Sequence, residues 1–317
     1  MKLKEILANI FSIKDYGETH LIMRLFGLRI KFPKLEYAKE RRKNPYYYYK
    51  KNNIDITTLP PATGQLRNIQ LANLALLKEL DHVCKEAGLK YWLDGGTQIG
   101  VVRHKGFIPW DDDIDVGMLR EDYEKIIDAF EKYSRDPDIF VGYFRSHNNY
   151  FLKVQHRKCH ILFVDIFPFD IFGPKRAADV QKRDTVRIKQ YLKELWRFDI
   201  DSVSDLELKQ NIDSMMKTKV LTAEIPADLN DSELVWGLDF SHSWNNWFTD
   251  YNVIFPLKNV IFEGLEFPCI NDPHAFLSRL YGNYMSYPSK ITMGHSMFLN
   301  LSDADKKIIK DLIENSN

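Results

Sequence analysis

The sequence is poor in cysteine, in unbalanced charge and in long apolar runs, and each scarcity closes off a class of protein. Its three cysteines, Cys84, Cys159 and Cys269, lie far apart and show no metal-ligand spacing. A disulfide framework is therefore not expected; reduced, mostly buried thiols in a cytoplasmic protein are. The 44 Lys+Arg balance the 44 Asp+Glu, which leaves no global field to draw in nucleic acid or an anionic membrane. No stretch approaches the ~20 apolar residues of a membrane span. The most apolar early segment, Leu21–Phe32, is cut by Arg24 and Arg29. The start, MKLKEILANIFSIKD, has neither an uninterrupted apolar stretch nor a small-residue cleavage site, so no signal peptide is expected. Internal repeats and low-complexity linkers are also missing.

What remains is a globular mixture, 44% hydrophobic and 28% charged, over 317 residues, enough for one large domain with insertions. Residues 1–60 read as an appendage. Leu21–Phe32 alternates apolar and basic residues, as a packed strand or hairpin does, with peripheral membrane contact as the functional alternative. The four tyrosines of KERRKNPYYYYKK (Lys39–Lys51) are expected on a strand, and Pro60–Pro61 closes the appendage. From Gln65, three- and four-residue spacing through Leu66, Ile69, Asn73, Leu77, Leu80 and Cys84 predicts a helix stopped by Gly88. Leu89–Asp94 reads as a strand, Thr97–Arg103 as one or two helical turns, Ile114–Leu119 as a second strand and Arg120–Tyr133 as a helix. Strands follow at Ile139–Phe144, Phe151–His156 and Ile161–Phe167. Pro174–Lys219 is charged and helix-rich, Leu238–Tyr251 is expected to be helical, and VIFEGLEFPCI suggests a hairpin at Gly264. Short helices over Pro273–Gly282 and Ser302–Glu314 complete the chain.

The chemistry concentrates at Asp111–Asp115, DDDID, flanked by Phe107-Ile108-Pro109-Trp110 and by Ile114 and Val116. Bulky apolar flanks pull the backbone toward a core, where unpaired carboxylates are costly. In a strand entered at Ile114, Asp113 and Asp115 share a face, and each raises the other's proton affinity unless a cation lies between them. An all-oxygen site of this kind suits Mg²⁺ or Mn²⁺ with substrate phosphates; an EF-hand is excluded by the missing glycine and terminal glutamate. Gly95-Gly96, between a strand and a short helix, offers bare amides to a phosphate. Asp165, in the apolar run Phe163-Val164-Asp165-Ile166, needs a partner or a metal. Arg103, His104, Lys105 and Lys153 are candidate phosphate or nucleotide contacts.

At these residues the sequence resembles the LicD family, bacterial phosphocholine-type transferases related to fukutin and fukutin-related protein. The similarity runs through LDGGTQIGVVRHKGFIPWDDDIDVGMLREDYEKI (Leu93–Ile126), FLKVQHR (Phe151–Arg157), VDIFPFD (Val164–Asp170), FEGLEFPCI (Phe262–Ile270) and LYGNYMSYP (Leu280–Pro288). It implies an α+β nucleotidyltransferase-like fold, a mixed sheet flanked by helices, over residues 61–317, with a helical insertion at 174–257. It also implies that Asp113, Asp115 and Asp165 are catalytic and hold Mg²⁺ or Mn²⁺ (two ions), with Asp111 and Asp112 shaping the loop. Gly95, Gly96, Thr97, Arg103, His104, Lys105 and Lys153 would bind the donor.

The implied reaction moves a phosphocholine-like group from a CDP-linked donor to a hydroxyl of a lipopolysaccharide, capsule or teichoic acid glycan. The expected location is cytoplasmic, with peripheral contact at the inner membrane face. If choline is carried, Trp110, Trp244, Trp247 and Tyr251 are candidates for an aromatic cage. An Asp-X-Asp glycosyltransferase and a non-catalytic Ca²⁺-dependent glycan-binding module remain alternatives.

Overall fold

A computed structural model describes residues 11–16, 20–25, 28–33, 45–146, 149–195, 203–236, 248–291 and 300–315, and the chain divides into two units, Met1–Ile56 and Thr57–Asn317. In the first, β1 (Phe11–Tyr16), β2 (His20–Leu25) and β3 (Leu28–Pro33) form an antiparallel meander, so Leu21–Phe32 is a hairpin. The tyrosine run is not a strand. Pro45–Lys51 is a helix, α1, because Pro45 is preset for a first helical position and Lys50 and Lys51 suit the negative end of the helix dipole. Tyr46 and Tyr49 meet at the i, i+3 spacing, with ring centroids 6.2 Å apart.

The second unit is organised by one long helix against one mixed sheet. The helix α2 (Gly64–Ala87) ends on Gly88 in the left-handed conformation, as its spacing predicts. The seven-stranded sheet contains β4 (Trp92–Leu93), β5 (Asp115–Leu119), β6 (Ile139–Ser146), β7 (Asn149–His156), β8 (Cys159–Pro174), β9 (Ser232–Trp236) and β10 (Phe248–Asp250). β8 is its axis. It pairs in parallel with β5, and antiparallel with β7 through its first half and with β9 through its second. The α+β architecture, a mixed sheet flanked by helices, is the expected one.

Period-two alternation then separates the two faces of the sheet. Val116 and Met118 on β5, Leu152 and Val154 on β7, and Val164 and Ile166 on β8 enter one buried core. There they join Ile69, Leu76, Leu77, Leu80 and Val83 of α2, and Ile309 and Leu312 of the terminal helix Asp303–Asn315. The intervening residues, Asp115, Lys153 and Asp165, belong to the other face. On that face Gly117 has no alternative: a Cβ would lie 2.4 Å from the Trp92 indole.

Several expected elements differ in extent. The strand at Leu89–Asp94 is confined to Trp92–Leu93, while Lys90 N–H is drawn off to the Asp122 carboxylate at 3.1 Å. The expected helix over Arg120–Tyr133 is broken at Glu124–Lys125 into α4 (Arg120–Tyr123) and α5 (Ile126–Tyr133); Arg120 there forms a two-pronged pair with Asp170 of β8 at 2.9 and 2.8 Å. The helix α3 before them (Gly95–His104) is longer than the one or two turns expected. Residues 174–257 hold two longer helices, Ala178–Leu195 and Asp205–Met215, and also supply β9 and β10 to the central sheet. Phe248–Asp250 is thus a strand where a helix is expected, since its pairing with β9 satisfies the backbone; residues 238–247 of that segment lie outside the described ones. Hairpin β11 (Lys258–Phe262) and β12 (Leu265–Cys269) turns on Glu263 and Gly264, both with positive φ, as a two-residue turn requires. No helix among the described residues is long and apolar enough to cross a membrane.

Glu79 fastens α2 to the connection between α5 and β6. Its carboxylate accepts the Arg135 backbone N–H at 2.5 Å, the Arg135 guanidinium at 3.1 and 2.8 Å, and the Ser134 hydroxyl at 3.1 Å. Burial pushes this carboxyl up, but the Arg135 and Ser134 contacts outweigh it and the pKa is lowered. A lowered folded-state pKa stabilises fully above the unfolded glutamate value of about 4.3 and is lost as pH falls through the folded value. Urea titrations between about pH 5 and pH 3 should therefore show wild type losing stability faster than Glu79→Gln; parallel curves would remove Glu79 from that role.

Candidate active site

Asp115, Asp165 and Lys153 stand in a row across three neighbouring strands. Asp115 pairs with Asp165 in the parallel ladder, and Lys153 pairs with Asp165 in the antiparallel one. Directly opposed residues share a face, and like charges there repel. Lys153 Nζ lies 2.9 Å from Asp165 Oδ1. The same ammonium sits over the rings of Phe163, Phe144 and Phe151, at 3.7, 4.2 and 5.3 Å from their centroids, whose faces favour a cation.

The glycine turn meets Asp115 from the other side. Asp94 occupies the N-cap position of α3, whose first residues are Gly95 and Gly96, without a side-chain capping bond. Gly96 N–H donates to Asp115 Oδ2 at 3.0 Å, and Asp115 N–H donates to Thr97 Oγ1 at 2.8 Å. The carboxylate therefore sits at a helix N-terminus, where negative charge is favoured. Gly95 has φ +49°, and a Cβ there would lie 2.5 Å from Asp115 Oδ2. A Cβ on Gly96 would lie 3.2 Å from Asp111 Oδ2 and 3.6 Å from Asp115 Oδ2. Two carboxylates thus converge on bare backbone.

Asp113 belongs to the loop before β5 rather than to the strand. Its carboxylate is hydrogen-bonded with that of Asp111, and Asp111, Asp112 and Asp113 each offer an oxygen within 4.8 Å of the others. Asp111 and Asp112 therefore add carboxylates to the cluster besides shaping the loop. Burial first, then Asp113, Asp115 and Asp112, push the Asp111 carboxyl well above the usual range; burial, then Asp113, Asp165 and Asp94, do the same to Asp115. A divalent cation relieves such mutual repulsion, and an all-oxygen donor set suits Mg²⁺ or Mn²⁺.

Not every expected contact is brought here. Arg103 is buried near Asp111, with Nη1 donating to the Tyr284 carbonyl at 2.9 Å; burial lowers its pKa to about 10, against the opposing influence of Asp111 and Tyr287. His104 and Lys105 lie at the opposite end of α3 from the glycines, about 15 Å along a ten-residue helix. Burial and then Arg103 lower the His104 pKa to about 4, so its ring is neutral at physiological pH. Lys105 is exposed, in a left-handed conformation (φ 54°) that caps α3. Of the cage candidates, Trp110 stacks on Tyr287 (6.4 Å, 21°) and Tyr251 on Phe255 (4.6 Å, 24°); Trp244 and Trp247 lie outside the described residues.

Other residues of the site are absent from the sequence reading. Asp94 is 1% exposed and accepts the Trp236 indole N–H at 3.2 Å. Burial lifts its carboxyl to about 7, with the Gly95 N–H and the indole opposing. Tyr281 keeps 43% of its surface open, yet its phenol is raised, first by the protein packed around it and then by Asp115, Asp94, Asp111 and Asp113. On α2, Gln70 Nε2 donates to the Asp111 carbonyl at 2.7 Å, and Asn73 Nδ2 to the Asp112 carbonyl at 2.6 Å. Asn73 Oδ1 accepts Phe163 N–H at 3.0 Å. The signal for Asn73 is a polar residue within the three- and four-residue apolar spacing of α2; Asp94 and Tyr281 carry no comparable local signal.

Residues 88–204, which span the glycine turn and both aspartate strands, match the family described as LicD/FKTN/FKRP, nucleotidyltransferase domain. The chain belongs to the LicD family. It is 31% identical over 247 residues to the lipopolysaccharide cholinephosphotransferase LicD of Haemophilus influenzae, covering 70% of this chain and 92% of that protein. It is 37% identical over 90 residues to the ribitol 5-phosphate transferase FKRP of Homo sapiens, covering 27% of this chain and 18% of the relative. An uncharacterized protein of Rickettsia typhi is 29% identical over 132 residues, 37% of this chain and 40% of that one.

Asn73→Leu tests the backing of the aspartate loop. It removes the Asn73 hydrogen bonds to the Asp112 carbonyl and from the Phe163 N–H and should cost about 2 kcal/mol or more in urea denaturation. A midpoint equal to wild type would mean that the loop is held without it.

Proposed function

We propose that the protein transfers a phospho-alcohol group, phosphocholine or a close analogue, from a CDP-linked donor to a hydroxyl of a cell-surface glycan such as lipopolysaccharide. The observation that carries this is the alignment of Asp115, Asp165 and Lys153 against the Gly95-Gly96 turn, in a chain that covers 92% of a lipopolysaccharide cholinephosphotransferase. A new bond forms between the acceptor oxygen and the donor's alcohol-bearing phosphorus. The bond from that phosphorus to the bridging oxygen breaks, and CMP leaves with the electron pair.

Asp113, Asp115 and Asp165, with Asp111 beside them, would hold two Mg²⁺ ions, or Mn²⁺. When bound, these supply positive charge to the bridging and leaving phosphate oxygens. Asp165, directly or through the ion it would hold, would help to take the acceptor proton, and Lys153 would steady that carboxylate before transfer and the phosphate charge during it. Gly95 and Gly96 let phosphate oxygens approach the backbone, where a side chain would block them. Arg103 faces the nucleotide. His104 and Lys105, which follow Arg103 at the far end of α3, remain candidate donor contacts. The protein works in the cytoplasm, against the membrane face where a lipid-linked acceptor is presented.

A screen of CDP-choline, CDP-ribitol and UDP-sugars, read as CMP release with an acceptor glycan, tests the donor class. CDP-alcohols should be consumed and UDP-sugars left intact; consumption of a UDP-sugar alone would favour a glycosyltransferase. Chelation with EDTA should stop turnover and Mg²⁺ restore it. Asp113→Asn, Asp115→Asn and Asp165→Asn should each lower kcat by about two to three orders of magnitude or more with thermal unfolding still cooperative. An Asp165→Asn protein near wild-type activity would remove that residue from the chemistry.

A further inference from the structure

A cavity of about 360 Å³ is lined by Ile99, Arg103, Ile108, Trp110, Tyr281 and Tyr287, among others. It adjoins the carboxylate cluster, because Trp110 immediately precedes Asp111 and Tyr281 lies within electrostatic reach of four of the aspartates. Its walls are flat: Trp110 and Tyr287 face each other 21° from parallel, and Ile99 and Ile108 are buried. Arg103 is its buried charge, 7% exposed. The guanidinium lies over the Trp110 ring at 5.8 Å, and its Nη1 is committed to the Tyr284 carbonyl. Its Nε–H finds no acceptor among the described residues, a costly state for a buried donor.

The chemistry of the lining narrows the ligand. A guanidinium repels a quaternary ammonium, so these aromatic walls do not form a choline cage. A phosphate favours several converging cations, whereas Arg103 is the one charged side chain in the described lining, set among aromatic, aliphatic and small polar residues. A planar, uncharged ring with a carbonyl at its edge satisfies both, and base–aromatic stacking tolerates the ring's identity while the hydrogen bond selects its edge. We propose that the cavity holds the pyrimidine base of the cytidine diphosphate donor proposed above, stacked on the Trp110–Tyr287 wall with its ring carbonyl accepting from Arg103 Nε. The diphosphate then runs from this pocket, past Asp111, to the Gly95-Gly96 turn.

The test titrates the full chain, in Mg²⁺, with CMP and with ribose 5-phosphate, which carries the sugar phosphate without the base. CMP should bind wild type at least about tenfold more tightly, the size that stacking on a base carries. Arg103→Lys keeps the charge and removes the Nε donor. Ser286→Trp fills the rim of the cavity from an exposed position and serves as the test if Arg103→Lys does not fold. Either variant should shrink the CMP preference to within about twofold and leave ribose 5-phosphate affinity in place. Equal binding of the two ligands by wild type, or an undiminished preference in the folded variants, would overturn the base pocket. The donor reading fails by a different result, the absence of CMP release from every CDP-alcohol by wild type.

Discussion

Two aspartates on adjacent parallel strands, in register, are the constraint around which the catalytic unit is arranged. Two unit charges ~5 Å apart, at an effective dielectric constant of about 20, repel by roughly 3 kcal/mol. Sheet pairing alone does not supply a reason to tolerate that. The compensation is distributed: Lys153 from the next strand, the Gly96 N–H at the start of α3, and the packed core on the reverse of the same strands. Val116, Val164 and Ile166 are fully buried one residue away from the charges they flank. A one-residue slip in the ladder would exchange these sets and place carboxylates in the core, so hydrophobic burial itself secures the alignment of the charged row.

The loop bearing Asp111–Asp113 is supported from behind rather than by its own sequence. Gln70 and Asn73, both fully buried on α2, hold its carbonyls. The turn of the β11–β12 hairpin does the same for the segment just before it: Glu263 N–H donates to the Lys105 carbonyl at 2.9 Å, its carboxylate accepts Phe107 N–H at 2.9 Å, and Arg67 of α2 closes on it at 2.6 Å. Buried polar groups of this kind are costly when any member is missing. The FEGLEF segment thus acts on the site through the backbone of Lys105 and Phe107, which leads into the aspartate loop.

What the sequence makes legible follows from how local each signal is. The helix ending on Gly88, the hairpin at Gly264 and the strands through Asp115 and Asp165 each carry their pattern within a few residues, and the structure forms all of them. The tyrosine run misleads because residue-by-residue alternation ignores Pro45 and the two closing lysines. The strand at Phe248–Asp250 is set by a partner strand, and a helical reading of its aromatics has no access to that pairing. The same distinction divides the site. A run of aspartates between apolar flanks announces itself; Asp94 reads as a turn residue, and Tyr281 as one more aromatic in an aromatic-rich chain, until the fold brings them within range of the same charges.

The Glu263 turn also has a bearing on timing. A chain is synthesised from its N-terminus and its parts fold as they emerge, and 156 residues separate Phe107 from the glutamate that accepts its N–H. During synthesis the aspartate loop is exposed long before its last support exists, with its carboxylates free to rearrange. Closure of the hairpin on Lys105 and Phe107 is therefore a late event, one that brings the loop to its final shape only when nearly the whole catalytic unit has been made. A chain truncated ahead of this turn would carry every aspartate of the site and still lack the means to hold them in place.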